Sequence, residues 1–166
     1  MGSLWPHPLK GWWSIALLAD KIVSLKLASP LCVASGTSVR NVIDTVQRRQ
    51  AGAVIVCDKK RPVGIMTERD VLMKIVARDV DYSEPVDKHM TPNPRTLTAD
   101  DTIGEAIALM NSEGFRNVPI VDPNSGEAVG LCQVRDIIHH LAESFPEHVL
   151  NLPPRSDQKL ETPEGA

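Results

Sequence analysis

Two seven-residue segments carry the side chains with the clearest chemical potential. They read Gly64-Ile-Met-Thr-Glu-Arg-Asp70 and Gly130-Leu-Cys-Gln-Val-Arg-Asp136, and each follows an apolar run and opens a helical pattern. An aspartate in the first turn of a helix is favoured by the helix dipole, and its oxygens can accept charge-assisted hydrogen bonds from hydroxyl groups. Thr67 also stands three residues ahead of Asp70, which is the spacing of a helix N-cap that needs no ligand. The segments therefore support both a binding and a purely structural interpretation.

Catalytic and metal-binding patterns are missing from the sequence. Cys32, Cys57 and Cys132 are far apart in apolar stretches, which predicts buried, reduced thiols. The adjacent His139 and His140 would point about 100° apart on a helix, so they could not share a metal ion as an i, i+4 pair can. No phosphate-binding glycine loop, nucleophile elbow or dinucleotide fingerprint is present. We therefore predict no enzyme, no catalytic residues and no metal site.

Composition narrows the class of protein further. The 166 residues are 42% hydrophobic and 23% charged, close to the globular average, which argues against disorder and against a multi-span membrane protein. The apolar run at residues 12–19 is too short to cross a bilayer. A net charge of −3 and an aromatic content of 4% argue against a dedicated nucleic-acid binder. We expect a cytoplasmic protein.

An internal repeat indicates how the two segments are positioned. The copies cover residues 30–77 and 94–145, and each is predicted to form strand, helix, strand, strand, helix. The predicted strands are residues 31–34, 53–58 and 63–66 in the first copy, and 95–98, 117–122 and 129–132 in the second. The other segments are an N-terminal amphipathic helix and lead-in (1–29), a linker and lead-in (78–93), and an extended, partly disordered tail (146–166).

Each predicted helix has a start signal and an apolar face. Ser38 and Thr102 are the expected N-caps of the two first helices, and Thr102 forms a capping box with Glu105. Four sets of apolar positions recur at helical spacing: Val39, Val42, Ile43 and Val46; Ile103, Ala106, Ile107 and Met110; Val71, Leu72 and Ile75; and Ile137, Ile138 and Leu141. Near the N-terminus, Ile15, Leu18, Ile22 and Leu25 predict a helix that packs on the protein itself rather than on a membrane.

These elements define an α/β (α+β) fold. The strands are almost entirely apolar, as expected when both faces of a sheet are covered. A repeat of this size is small for independent stability. We therefore expect the two βαββα repeats to pack sheet to sheet about a pseudo-twofold axis, with a ligand cleft between them.

The repeat and its motif resemble the CBS domain pair, or Bateman module. The family motif is a glycine, two apolar residues, a serine or threonine, two variable residues and an aspartate. The first copy matches it from Gly64 to Asp70, whereas the second has Gln133 in place of the hydroxyl residue. The resemblance covers about residues 14–145. It implies a stand-alone regulatory module that binds AMP, ADP, ATP, S-adenosylmethionine or NAD(H) as a regulatory ligand, and not as a catalytic cofactor.

The resemblance also implies which residues contact the ligand. Asp70 and Asp136 would each accept hydrogen bonds from a ribose diol, while Thr67 and Arg116 would hold phosphate. The adenine would enter a slot near Ala53-Val54 and Val118-Pro119. Ile65 and Gln133 complete the predicted set. The equivalent of Arg116 in the first copy is Gly52, so two sites would differ in phosphate preference, whereas Arg69 and Arg135 are interpreted as solvated helix charges.

Partners and alternatives complete the predictions. The family implies a homodimer and an unidentified regulated protein on another chain. Gln133 and Gly52 keep a second interpretation open, in which a dimeric interaction scaffold retains only vestigial nucleotide sites. An enzyme or an accessory nucleic-acid binder is a third interpretation, and the acidic balance argues against the nucleic-acid function. The choice of adenosine ligand and the number of filled sites are left open.

Overall fold

The computed structural model describes residues 12–144, and the side-chain surroundings from residue 16 onward. The predicted C-terminal tail and the start of the N-terminal segment lie outside the described residues. Among the described helices, none is both long enough and apolar enough to span a membrane. The chain begins with helix α1 (Trp12–Ala19) and a 3-10 turn (Ile22–Ser24).

The first repeat contributes three strands to a four-stranded mixed sheet. It contains β1 (Cys32–Ala34), α2 (Val39–Arg49), β2 (Ala53–Asp58), β3 (Arg61–Thr67) and the single-turn helix α3 (Glu68–Asp70). A π turn (Val71–Ile75) and a 3-10 turn (Val76–Arg78) continue α3. Strand β1 is parallel to β2, whereas β2 and β3 are antiparallel. Ser38 caps α2 as predicted, because its hydroxyl accepts a hydrogen bond from the backbone N–H of Asn41 at 3.4 Å.

The second repeat follows a linking segment that contains a 3-10 turn (Val86–Lys88) and β4 (Thr91–Pro92). It is built from α4 (Ile103–Glu113), β5 (Asn117–Val121), β6 (Ala128–Gln133) and α5 (Val134–Ser144). Strands β5 and β6 form an antiparallel pair. Thr102 and Glu105 form the predicted capping box at the start of α4.

The two sheets pack against each other, which confirms the predicted α/β architecture. Strand β2 shows how: Val54 and Val56 point into the core of the first repeat, whereas Ala53, Ile55 and Cys57 point the other way. This second face meets Ile65 and, from the second repeat, Leu131 in a separate buried cluster. Alternation along a strand sends successive side chains to opposite faces. Strand β2 is therefore covered on both sides, as its continuous apolar sequence predicted.

Each repeat core is completed by a segment that precedes the other repeat in the chain. Leu17, Ile22 and Leu25 lie in the buried core of the second repeat, beside Ile103 of α4. In the same way, Val86 lies fully buried in the core of the first repeat. Strand β4 continues this pattern, because it pairs with β3 of the first repeat. The two repeats are thus joined by exchanged packing as well as by their sheets.

The N-terminal helix differs from its prediction. The expected stripe ran through Ile15 and Leu18 to Ile22 and Leu25 on one helix, but α1 ends at Ala19. Leu18 is 41% exposed, whereas its neighbour Leu17 is 6% exposed. The break at residues 20–21 and the following 3-10 turn shift the helical phase, so that Leu17, Ile22 and Leu25 share the buried side. The predicted packing of this segment on the protein itself is confirmed.

Two predictions about strands and thiols are wrong. Residues 95–98 form only an isolated parallel bridge between Leu97 and Ile120. The backbone N–H of the next residue, Thr98, donates to the carboxylate of Asp101 at 2.6 Å. Cys32 is exposed, since it lies on β1 at the edge of the sheet. Cys57 and Cys132 are buried as predicted. Burial raises the pKa of the Cys132 thiol to about 12, which leaves it unreactive.

The last helix of each repeat buries less of its predicted apolar face than expected. Ile75 and Ile137 are buried, but Leu72 is 58% exposed and Ile138 is 56% exposed. In the first repeat the π turn alters the helical phase after Asp70, so the regular helical spacing used for the prediction no longer holds. In the second repeat α5 is regular, and Ile138 faces a cavity between the repeats.

Candidate functional site

The turn from β3 into α3 holds Thr67 and Asp70 in one compact hydrogen-bonded unit. The backbone N–H and the hydroxyl of Thr67 both donate to Oδ2 of Asp70, at 2.9 and 2.7 Å. In return, the backbone N–H of Asp70 donates to the Thr67 hydroxyl at 3.2 Å. This is the capping box that the sequence spacing predicted. It fixes the orientation of the Asp70 carboxylate without any ligand.

The second oxygen of Asp70 is bound by Lys74, one helical turn later. The Lys74 Nζ lies 2.8 Å from Oδ1 of Asp70 and 3.1 Å from the hydroxyl of Thr91 on β4. Burial alone would raise the pKa of Asp70, but hydrogen bonds from Lys74 and Thr67 outweigh it and hold the pKa below its ordinary value. Asp70 is therefore ionised at neutral pH, and a diol that binds it must share or displace Lys74.

A cavity of about 950 Å³ lies between the two repeats and includes this turn in its wall. Its size is at the upper end of the ~300–1,000 Å³ typical of small-molecule sites. Both repeats contribute to the lining, with Gly52 and Glu68 on one side and Phe115 and Asn117 on the other. Six of the predicted ligand-contacting residues are found together in it: Ile65, Thr67, Asp70, Arg116, Pro119 and Gln133.

Three other predicted residues lie beside the cavity and face away from it. Val54 and Val118 are fully buried in the cores of the first and second repeats, respectively. Ala53 is buried in the cluster between the sheets. Only their backbone is close to lining residues, since Gly52 precedes Ala53 and Asn117 and Pro119 flank Val118. Contact between these residues and a ligand remains a prediction.

Asp136 is separated from the large cavity. Its Oδ2 accepts a hydrogen bond from the backbone N–H of Gln133 at 2.8 Å, while the Gln133 side chain donates to Oδ1 of Asn117 at 2.8 Å. Asp136 instead lines a small cavity of about 60 Å³ together with Lys26 and His140. The two motif aspartates therefore do not meet in one site, although Gln133 and Asp70 do line the same cavity.

The helix starts of the two repeats are equivalent in backbone geometry but different in chemistry. The N–H of Glu68 donates to the carbonyl of Gly52, and the N–H of Val134 donates to the carbonyl of Arg116, both at 3.1 Å. This confirms the predicted equivalence of Gly52 and Arg116. The second repeat therefore presents the guanidinium of Arg116 to the cavity at the position where the first repeat has Gly52, which has no side chain.

Three further arginines in the cavity wall were not predicted as site residues. The sequence predicts solvated helix charges at Arg69 and Arg135 and a strand at Arg95, yet all three residues line the cavity. Each is exposed. The repetition of an Arg-Asp pair at the end of both motifs was the one sequence signal that could have identified Arg69 and Arg135. Arg95 has no such repeated motif around it. It lines the cavity because the segment that follows β4, including Pro94, forms part of the cavity wall.

Comparison with known proteins identifies the family. A model of the CBS domain matches residues 24–77 and again residues 83–143, and the chain therefore belongs to the CBS domain family. An uncharacterized 17.7 kDa protein from Acidianus ambivalens is 29% identical over 127 residues, which are 76% of each chain.

Solved structures show the same fold. A CBS domain protein from Pyrobaculum aerophilum, complexed with AMP, has a TM-score of 0.66 and 26% identity, covering 74% of this chain and 98% of its own. The CBS domain pair of protein MJ0100, in complex with 5'-methylthioadenosine and S-adenosyl-L-methionine, has a TM-score of 0.68 and 20% identity, covering 76% of this chain and 98% of its own. Nearly the whole of each of these two solved chains therefore matches the fold of about three quarters of this chain.

Proposed function

We propose that this protein is a regulatory module that binds an adenine nucleotide in the cavity between its repeats. The observation that carries the proposal is the Thr67–Asp70 turn, whose ionised carboxylate lies in the wall of that cavity. The AMP complex of the Pyrobaculum aerophilum protein supports the ligand class. Since no catalytic arrangement is proposed, the bound nucleotide acts on the protein's own dimer geometry or on its affinity for a regulated protein.

Each part of a nucleotide has a matching group in the cavity. The ribose hydroxyls donate to the Asp70 carboxylate, and Lys74 moves aside or shares the second oxygen. The adenine packs between Ile65 and Pro119, which are buried residues from the two repeats. The phosphate takes the guanidinium of Arg116. A nucleotide bound in this way contacts both repeats at once, so it stabilises their packing.

A ligand panel on matched variants tests the proposal. We expect an adenine nucleotide among AMP, ADP, ATP and NAD(H), or the adenosine derivative S-adenosylmethionine, to raise the stability of the wild type by about 2.7 kcal/mol at a concentration of 100 Kd. GMP, the guanine counterpart of AMP, should not have this effect. Asp70→Asn should abolish this response. Glu105→Gln is the matched control, because Glu105 forms the same capping box in α4, where it does not line the cavity. Thermal unfolding and isothermal titration calorimetry provide the measurements.

The outcomes separate the sensor from the scaffold. If Glu105→Gln responds as the wild type does and Asp70→Asn stays folded without responding, the nucleotide site is located. If no member of the panel stabilises the wild type, or if GMP stabilises it equally well, the adenine nucleotide proposal is wrong. The protein would then be an interaction scaffold, a function with which the ligand-free capping role of Asp70 is compatible.

A further inference from the structure

The cavity has one end built for a nucleoside and another built for an anion. At the first end, the Thr67–Asp70 turn provides the one motif aspartate that lines the cavity. At the other end, the equivalent aspartate is hydrogen bonded to the backbone of Gln133 and faces the small cavity instead. Gln133 itself has its amide bonded to Asn117. A second ribose diol therefore has no motif carboxylate, held by its own helix start, to accept its hydroxyls at this end.

Positive charge replaces the missing carboxylate. The cavity wall contains Arg69, Arg95, Arg116 and Arg135, and within residues 16–144 none of these four guanidinium groups forms an ion pair or a side-chain hydrogen bond. The carboxylates of Glu68, Asp70 and Glu113 also line the wall, but Asp70 is paired with Lys74. An excess of guanidinium groups with no protein partner is suited to bind phosphate oxygens.

We propose that the cavity binds one adenine nucleotide per chain and selects those with two or three phosphates over AMP. This inference rests on the proposed function and adds the charge and the number of the ligands. The nucleoside binds at Asp70, and the phosphate chain extends across the cleft towards Arg116 and Arg135 of the second repeat. Arg95 of the connecting segment contacts the same chain. A cationic ligand such as S-adenosylmethionine is disfavoured, because like charges repel in a partly enclosed site.

A pseudo-symmetric fold would otherwise predict two equivalent nucleotide sites. The large cavity is continuous across both repeats, so a second nucleotide would have to share the same 950 Å³. The separate cavity at Asp136, at about 60 Å³, is too small for one. The differences at Gln133 and Arg116 thus convert one of two equivalent half-sites into a phosphate subsite.

Isothermal titration calorimetry with adenosine, AMP, ADP and ATP, in the absence of divalent cations, tests the inference. We expect one ligand per chain and an affinity that rises with each added phosphate, with ATP at least about tenfold tighter than AMP, as expected for charge-assisted hydrogen bonds. Arg135→Gln should reduce ATP affinity by about tenfold or more and leave adenosine affinity unchanged. Arg49→Gln, an exposed arginine on α2 outside the cavity, is the control.

Salt dependence provides a second test that needs no variant. ATP is expected to make more phosphate–arginine contacts than AMP, and salt screens each of these contacts. Raising the ionic strength should therefore weaken ATP binding more steeply than AMP binding. Equal affinities for AMP and ATP, equal salt slopes, or two ligands per chain would overturn the inference while the proposed function stands. If no adenine ligand binds at all, the proposed function fails and the inference fails with it. The two failures are therefore distinguishable.

Discussion

Asp70 combines two roles that are usually assigned to different residues. Its Oδ2 completes the capping box at the start of α3, and its Oδ1 is paired with Lys74 at 2.8 Å. The capping role places the carboxylate in the cavity wall, and the pair with Lys74 balances its charge. Lys74 also donates a hydrogen bond to the Thr91 hydroxyl. A movement of Lys74 on ligand binding would therefore break or shift a contact with the segment that links the repeats.

The charge of Asp70 makes a specific pH dependence predictable. A folded-state pKa below the unfolded value adds stability above the unfolded pKa, and this stability is lost as the pH falls through the folded pKa. Replacing Lys74 by methionine removes the leading contact that lowers the pKa of Asp70. We therefore expect Lys74→Met to be less stable than the wild type at pH 7. The difference should begin to shrink near the ordinary aspartate pKa of about 4 and be lost once the pH falls below the lowered pKa of Asp70.

Urea unfolding of both proteins from about pH 2.5, which is below the ordinary aspartate pKa, to about pH 7 measures this difference. Lys59→Met is the control, since Lys59 is an exposed residue in the turn between β2 and β3. A difference between Lys74→Met and the wild type that stays constant over the whole pH range would show that Lys74 acts through packing and not through the charge of Asp70.

The local parts of the site could be predicted from the sequence, and the nonlocal parts could not. The Thr67–Asp70 and Thr102–Glu105 caps depend on three-residue spacings, which a sequence displays directly. The exposure of Arg135 to the cavity depends on how two sheets meet, which no local pattern encodes. The same holds for Asp136, whose exclusion from the cavity follows from side-chain and backbone contacts around Gln133.

At the scale of elements, the motif glycines explain how close the lead-in segments can approach the sheets. A Cβ on Gly64 of β3 would overlap Sδ of Met90, which packs against the first core. A Cβ on the equivalent Gly130 of β6 would lie 3.2 Å from Cδ1 of Leu27. Both glycines therefore allow a lead-in residue to cross the strand, but the contact at Gly64 is much tighter.

The comparison of these glycines yields a prediction for stability. Gly64→Ala should destabilise the protein by about 1–3 kcal/mol, because the added methyl group forces the Met90 side chain out of its packed position. Gly130→Ala should cost less, since the Leu27 side chain needs to move by only a few tenths of an ångström. Alanine also restricts the unfolded chain, which offsets part of either loss by about 0.4–1 kcal/mol.

Equilibrium unfolding in urea compares the two variants directly, and Gly64→Ala combined with Met90→Ala provides the control. Removing the overlapping side chain should recover part of the loss that Gly64→Ala causes, beyond the sum of the two single effects. If Gly130→Ala proves as destabilising as Gly64→Ala, the close approach of Met90 is not what requires the motif glycine.

The exchange of lead-in segments shows a limit of repeat analysis. Residues 20–21 and 87–88 are both Asp-Lys pairs, so the sequence presents two similar lead-ins ahead of two similar repeats. Nothing in that similarity determines which core each lead-in completes. The structure assigns Ile22 to the second core and Val86 to the first, and the backbone N–H of Ile103 donates to the carbonyl of Asp20 at 2.8 Å. Only the packing of the whole molecule decides this.

The two repeats share an order of elements but differ in their surfaces. The last helix of the first repeat exposes an apolar face made of Leu72, Met73 and Val76, which are between 51% and 58% exposed. The sequence of the second repeat places His139 one residue after Ile138, where the first has Met73 after Leu72. A contiguous apolar face of this kind is typical of an interaction surface. We propose that it forms the interface of a homodimer.

Sedimentation equilibrium tests this interface. We expect the wild type to sediment as a dimer and the double variant Leu72→Glu, Met73→Glu to sediment as a monomer, since two charges would be placed against the partner's apolar face. Val23→Glu is the matched control, because Val23 is an equally apolar residue that is 67% exposed on the N-terminal 3-10 turn. A double variant that remains a dimer would exclude this face as the interface. The apolar face and the Asp70–Lys74 pair lie on the same short helical segment. If a dimer forms through this face, a movement of Lys74 on ligand binding would therefore also shift residues at the dimer interface.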